Sequence, residues 1–266
     1  MDNPKAETVT GIKGGTPYER VKDLMERLRA ECPWDREQTF DSIAPYTIEE
    51  AYEVADAIDQ KDMTALREEL GDLLLQVVFH SKLADEKGAF NLDDVTDDLV
   101  DKMVRRHPHV FGDEVVESVP GNWEKLKEAE RVAKGQTSRL DGVALSLPAL
   151  MRAQKLQKRA AKSGFDWPDL TGVWDKLEEE IAEVKDAVES NIAVDIEEEL
   201  GDLFFTVVNL SRKLGVDSEV ALRKANAKFS HRFKGVEARA GEKMRELDLE
   251  TLETYWQAAK SEDVKD

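Results

Sequence analysis

One acidic pattern occurs twice in this chain, and that duplication limits the fold more than any other feature. Glu49-Glu50-Ala51-Tyr52-Glu53 is matched by Glu179-Glu180-Ile181-Ala182-Glu183, and Glu69-Leu70-Gly71-Asp72 by Glu199-Leu200-Gly201-Asp202. Every residue of the second set lies 130 positions after its counterpart, as Glu180 follows Glu50 and Asp202 follows Asp72. The flanks agree as well: residues 72–78 read DLLLQVV and residues 202–208 read DLFFTVV. Further on, Lys102 and Arg106 align with Lys228 and Arg232, and Trp123 and Lys127 align with Trp256 and Lys260. Chance does not return that order twice, so the chain is read as two copies of one structural unit. Its 266 residues are room for two units of about 130 residues each. The polar stretch 134–147 (KGQTSRLDGVALSL) is the expected linker, and Pro148 opens a new helical pattern. The expected domains are therefore residues 1–133 and 148–266.

Each unit reads as helical. Val, Ile and Thr do not alternate with polar residues as strands require. Proline and glycine are sparse, at 8 and 15 residues, and gather at breaks such as Cys32-Pro33-Trp34 and Ser163-Gly164-Phe165. The expected fold is all-α, with two tandem helical bundles. Glu50 and Glu53 are three apart, as are Glu69 and Asp72, and residues three or four apart share a helical face. Each copy thus offers two helices with two carboxylates apiece. The second helix of each pair is otherwise very apolar (Leu70, Leu73, Leu74 and Val77; Leu200, Leu203, Phe204 and Val207). A helix apolar almost all round is expected to be buried, which puts its carboxylates at the mouth of a core. Gly71 and Gly201 lie inside these helices at a cost of about 1 kcal/mol each relative to alanine. Close approach of a neighbouring helix or a ligand would justify that cost.

Converging carboxylates repel one another, and burying them unpaired is costly. Either protonation or a bound cation resolves this. Oxygen ligands without His or Cys point to Mg²⁺, with Mn²⁺ as a substitute. Di-iron carboxylate bundles use E-x-x-H, whereas the four histidines here (His80, His107, His109 and His231) fall outside the motif, which argues against redox iron chemistry. Acidic pairs at helical spacing are commonly a solvated face. Repetition of the full set at fixed spacing on an apolar helix favours a site.

Lys228 and Arg232 share a helical face, and Lys176 lies four residues before Glu180. In an acidic chain such cations suit a phosphate chain, although ordinary charge decoration gives the same spacing. Trp256 is open to two readings, a stacking surface for a base or a packing contact. A net charge of −19 argues against non-specific nucleic-acid binding. The single cysteine, Cys32, excludes an internal disulfide. No run approaches the apolar length of a membrane helix, and residues 1–15 do not resemble a signal peptide. The expected location is cytoplasmic, with no membrane partner.

These residues resemble the MazG family of all-α nucleoside triphosphate pyrophosphohydrolases. The resemblance covers essentially the whole chain. It is carried by the two acidic sets and by Cys32–Thr39 (CPWDREQT), Ala44–Glu50 (APYTIEE), Arg105–Phe111 (RRHPHVF), Ser146–Lys155 (SLPALMRAQK) and Gly164–Trp167 (GFDW). It implies Mg²⁺-dependent hydrolysis of NTP or dNTP to monophosphate and pyrophosphate, broad base specificity, a homodimer that completes the bundles, and a role in cleaning the nucleotide pool or in stress. It also implies that the second copy is the main active site. Glu180, Glu183, Glu199 and Asp202 would then be metal ligands, with Glu180 or Glu183 as the proton acceptor. Lys176, Lys228, Arg232 and Trp256 would contact the nucleotide, with Glu179, Asp195 and Glu198 around it. The first copy has Tyr46 in place of Lys176 and Met103 in place of Phe229, but it keeps Glu50, Glu53, Glu69 and Asp72 as a second candidate site. The competing reading is a non-catalytic helical module that senses Mg²⁺ and nucleotide.

Overall fold

A computed structural model describes residues 12, 15–112, 121, 123, 126–130, 135 and 137–262. Every regular element among them is helical. The chain divides into two compact units, Met1–Leu126 and Lys127–Asp266. The boundary expected at residues 133 and 134 lies outside the described residues, as do residues 1–11 at the chain's start.

The first unit contains α1 (Pro17–Glu31), α2 (Pro33–Glu37), α3 (Phe40–Gln60), α4 (Met63–Asp85), α5 (Leu92–Arg106) and α6 (Pro108–Phe111). Local sequence fixes where they begin. Thr16 and Glu19 form a reciprocal capping box ahead of Pro17, with the Thr16 N–H donating to the Glu19 carboxylate at 2.7 Å. Thr39 and Ser42 do the same for α3. Asp62 opens α4 by accepting from the N–H groups of Thr64 and Ala65 at 2.8 and 3.0 Å. Met25, Ile43, Val78, Phe79, Leu83 and Leu92 form the core.

The second unit contains α7 (Ala149–Lys162), α8 (Thr171–Ser190), α9 (Ala193–Lys213), α10 (Ser218–Ala240) and α11 (Leu249–Glu262), with a 3-10 turn at Gly241–Glu246. Val173, Ala187, Val208, Val236 and Ala259 are buried within it.

The acid-bearing hairpins, α3–α4 and α8–α9, turn in the same way. Lys61 and Asn191 cap α3 and α8 in the left-handed region, at φ 57° and 56°, and are the only non-glycine residues with positive φ among the described residues. They too are 130 positions apart. Asparagine visits this region routinely, whereas lysine does so at a cost of about 1 kcal/mol. The Asp62 cap offsets that cost in the first copy, and Ile192 at the matching position makes no side-chain cap.

Two expectations are corrected here. The apolar helices α4 and α9 are not buried all round. Val78, Phe79 and Leu83 are buried, but Leu70, Leu74 and Val77 are exposed, as are Leu200, Phe204 and Val207. α4 packs on α3, α1 and α5, and α9 packs on α8, α7 and α10, but no described element of the same unit covers the face that carries these exposed residues. Gly71 and Gly201 are not sites of close approach either. A Cβ added at either would meet nothing within 4 Å, because both lie on that uncovered face.

Candidate active site

The tight turn at Asn191 folds α8 back along α9 and brings their carboxylates together. One oxygen each from Glu180, Glu199 and Asp202 lie within 4.8 Å of one another. Glu199 and Asp202 meet Glu180 from one face of α9 because they are three residues apart. Glu180 is 2% exposed. Its Oε1 lies 2.7 Å from Lys176 Nζ, and its Oε2 is buried with no hydrogen-bond partner.

Lys176 stands one turn before Glu180 on α8. Its ammonium is also 2.9 Å from Glu179 and 3.9 Å from Glu183. Its hydrogen bond to Glu180 first, and then that to Glu179, hold its pKa above the ordinary lysine range. The Glu199 carboxyl is pushed up, mainly by desolvation and then by Glu183, Glu180 and Asp202. Glu183 stands outside the three-oxygen cluster but close enough to act on Glu199 and Lys176. Asp195 is exposed in the first turn of α9, and Glu198 is exposed beside Glu199.

The other expected contacts form a separate group on α10 and α11. Arg232 lies over the Trp256 ring at 5.9 Å, and Phe229 lies 5.3 Å from Trp256 and 5.8 Å from Phe233. Lys228 is exposed on the same helix.

The first copy repeats the carboxylates without the cation. Oxygens of Glu50, Glu69 and Asp72 lie within 4.8 Å of one another. Tyr46, at the position of Lys176, brings no charge and meets the edge of Trp34 at 6.5 Å. Desolvation, then Asp72 and Glu53, push Glu50 up, and desolvation, then Glu53 and Asp72, push Glu69 up.

A cavity of about 800 Å³ adjoins the second cluster, and Lys176, Glu180 and Asp202 are part of its lining. Phe165, Trp167, Pro168, Leu156 and Phe205 supply apolar walls, with Gln157, Asn209 and Arg212 among them. The wall formed by residues 164–168 is built locally. Gly164 turns the chain at φ 87° after α7. Asp166 pairs with Arg212 at 2.6 and 3.0 Å and with Lys213 at 3.0 Å. The Trp167 ring lies against Gly172, where an added Cβ would clash with its Cδ1. Sequence reasoning missed Gln157, Asn209 and Arg212. The signal for Asn209 and Arg212 is the three- and four-residue recurrence after Asp202 on α9, which an apolar run hides, whereas Gln157 lies on α7 and carries no such signal.

The second cluster fits a divalent cation that prefers oxygen. Its donors are carboxylates alone, and the orphaned Glu180 Oε2 has no protein donor to satisfy it. No helix among the described residues is long and apolar enough to cross a membrane.

Comparison with known proteins agrees with the duplication. The family model of the MazG nucleotide pyrophosphohydrolase domain matches twice, over residues 38–111 and 171–237, and each match contains one carboxylate cluster. The chain is 50% identical over 257 residues to the nucleoside triphosphate pyrophosphohydrolase of Escherichia coli K12, covering 92% of this chain and 98% of that one. It is 46% identical over 256 residues to the nucleoside triphosphate pyrophosphohydrolase/pyrophosphatase MazG of Thermotoga maritima, covering 94% and 98%. It is also 41% identical over 252 residues to the uncharacterized protein YabN of Bacillus subtilis, covering 91% of this chain and 51% of that one.

Proposed function

The chain belongs to the MazG nucleotide pyrophosphohydrolase family, and on that premise we propose that its second copy hydrolyses NTPs and dNTPs to the monophosphate and pyrophosphate. The observation that carries this is Glu180: a buried carboxylate with one oxygen on Lys176 and the other unpartnered, at the edge of a cavity.

Glu180, Glu183, Glu199 and Asp202 are the residues that would hold Mg²⁺, or Mn²⁺ in its place. Bound there, the ion would neutralise phosphate oxygens and lower the pKa of a water. The chain's own groups do the rest. Glu183, or Glu180, accepts the proton of the water that attacks the α-phosphorus. Lys176 moves its ammonium from the carboxylates to the phosphates. Lys228 and Arg232 neutralise the departing pyrophosphate beside Trp256. Glu179, Asp195 and Glu198 border this site.

The reading extends to assembly. The uncovered apolar residues of α4 and α9 suit a homodimer in which two chains complete each other's bundles. The first copy, with its carboxylates and no lysine, acts as a structural or regulatory relative on this view. Residues 134–147 link the two domains, and the protein works in the cytoplasm on the nucleotide pool.

The test is product identification. Purified protein is incubated with Mg²⁺ and each NTP and dNTP, and the products are resolved. Monophosphate with pyrophosphate supports the reaction, while diphosphate with orthophosphate refutes it. Nucleotide binding without turnover would favour the sensor reading.

A further inference from the structure

We propose that residues 137–141 form a hinged lid over the cavity beside Glu180, latched to α7 by Arg159, and that nucleotide passes in and out only when the latch opens. This rests on the pyrophosphohydrolase reading above and adds the step that controls access to the site.

The lid is a stiff unit. Asp141 folds back on the start of the turn, its Oδ2 accepting from the N–H groups of Thr137 and Ser138 at 2.9 and 2.8 Å. The Leu140 N–H donates to Ser138 Oγ at 3.2 Å, and the Asp141 N–H donates to the Ser138 carbonyl at 3.1 Å. Side-chain to backbone bonds of this kind hold a turn without help from a helix. A turn tied to itself in this way moves as one piece.

Glycines bound it on both sides. Gly135 and Gly142 have φ of 73° and 76°, in the left-handed region that glycine enters freely. Hinges lie at the few positions that absorb a change in φ and ψ. Just beyond the second glycine, Val143 is buried and fixes the chain. The turn therefore swings from an anchored post.

Its inner side reaches the site. Leu140 lines the same cavity as Lys176, Glu180 and Asp202. The other lining residues lie on α7, α8 and α9 or in the 164–168 wall. Those helices pack on one another, and Asp166 pins the wall to Arg212 and Lys213. Leu140 has neither kind of support. The ties of its turn to the rest of the unit lie outside the cavity: Arg159 of α7 donates to the Asp141 carbonyl, and Arg139 pairs with Glu128. The Arg139 pair is exposed and contributes little. The Arg159 bond is charge-assisted and part-buried, which makes it the latch. A site that splits a phosphoanhydride gains from shutting bulk water out around the reacting groups, and that gives the closed position its use.

The test follows binding and release of α,β-methylene-ATP with a fluorescent label on its ribose, by stopped flow in Mg²⁺. Its α–β bridge cannot be cleaved, so the rates report passage alone. Wild type is compared with Arg159→Met and Asp141→Ala, two changes outside the cavity lining. Each loosens the closed lid without touching the nucleotide. Association and dissociation rates are both expected to rise about tenfold, the weight of one charge-assisted hydrogen bond, while Kd changes by less than about threefold. A fixed wall would instead raise the dissociation rate and Kd together at an unchanged association rate, and that pattern overturns the proposal. Unchanged rates in both variants overturn it as well. Trypsin cleavage after Arg139 in nucleotide-free protein reads the lid without reference to activity. It is expected to run about tenfold faster in both variants, since cleavage tracks the open population. If wild type binds no nucleotide, the pyrophosphohydrolase reading falls by itself. The cleavage rates then decide the lid separately, and equal rates in all three proteins overturn it.

Discussion

Lys176 sets its ammonium 2.7 Å from Glu180 Oε1, one helical turn along α8. It therefore supplies a positive charge to the carboxylate of its cluster that is closed off from water. A buried carboxylate without such a partner would be strongly destabilising. The same lysine competes with any ion that the cluster binds.

Replacing Lys176 with methionine should separate those two roles. In the absence of nucleotide, Mg²⁺ should bind about fivefold more tightly, because a half-exposed ion pair is worth up to about 1 kcal/mol. The KM for nucleotide should rise in the same variant. Isothermal titration calorimetry checks the first effect and initial rates the second. Weaker ion binding in the variant would show that the lysine supports the ion instead of competing with it.

Glu180→Gln should lower pyrophosphate release about a hundredfold or more, since it removes charge from the centre of the cluster. The fold should survive, because the amide keeps the shape of the side chain. Circular dichroism and product assay on one sample separate these outcomes. Full turnover would remove Glu180 from the site.

Glu50→Gln should stabilise the protein in the presence of a chelator. The Glu50 carboxyl is raised by desolvation first and then by Asp72 and Glu53. A raised carboxyl favours the fold below its unfolded pKa and loses that contribution as pH rises through its folded value. At pH 7.5 the charge is a cost, and the amide removes it, with Tm rising by about 2 °C. Excess Mg²⁺ should reverse the order of the two proteins if the first cluster binds the ion. Differential scanning calorimetry with and without Mg²⁺ reads both effects.

Asp166→Asn should loosen the cavity wall. Arg212 first, and then Lys213, hold the Asp166 carboxyl below its usual range. Its contribution is thus present above the unfolded pKa and lost as pH falls through the folded one. At pH 7 the substitution should cost about 1–3 kcal/mol in urea unfolding. The difference from wild type should close below about pH 4. A constant difference across that range would place the effect in packing instead of charge.

The helical class, the duplication and the convergence of carboxylates were legible in the sequence, because spacing of three along a helix and a repeat of 130 are properties of order alone. The left-handed turn that makes the carboxylates of the first copy converge was not, since Lys61 carries no turn signal. Burial was also misjudged. Apolar content shows how much surface a helix would hide, not how many neighbours its own unit provides, so α4 and α9 leave Leu70, Leu74, Leu200 and Phe204 uncovered. Lys176 was legible as a cation near the cluster, but its engagement by Glu179 and Glu180 required coordinates. Gln157 shows its unpaired oxygen only when the Phe205 carbonyl is placed against its nitrogen.

The contact of Trp167 with Gly172 bears on how this protein could change. One wall of the cavity rests on a missing methyl group, so its width can be altered from position 172 by a residue that is not itself part of the lining. Alanine there would tilt the indole or push it outward, and larger side chains would do so further. A small series of substitutions at that glycine is therefore a dial on the range of guests admitted, turned without disturbing a single carboxylate.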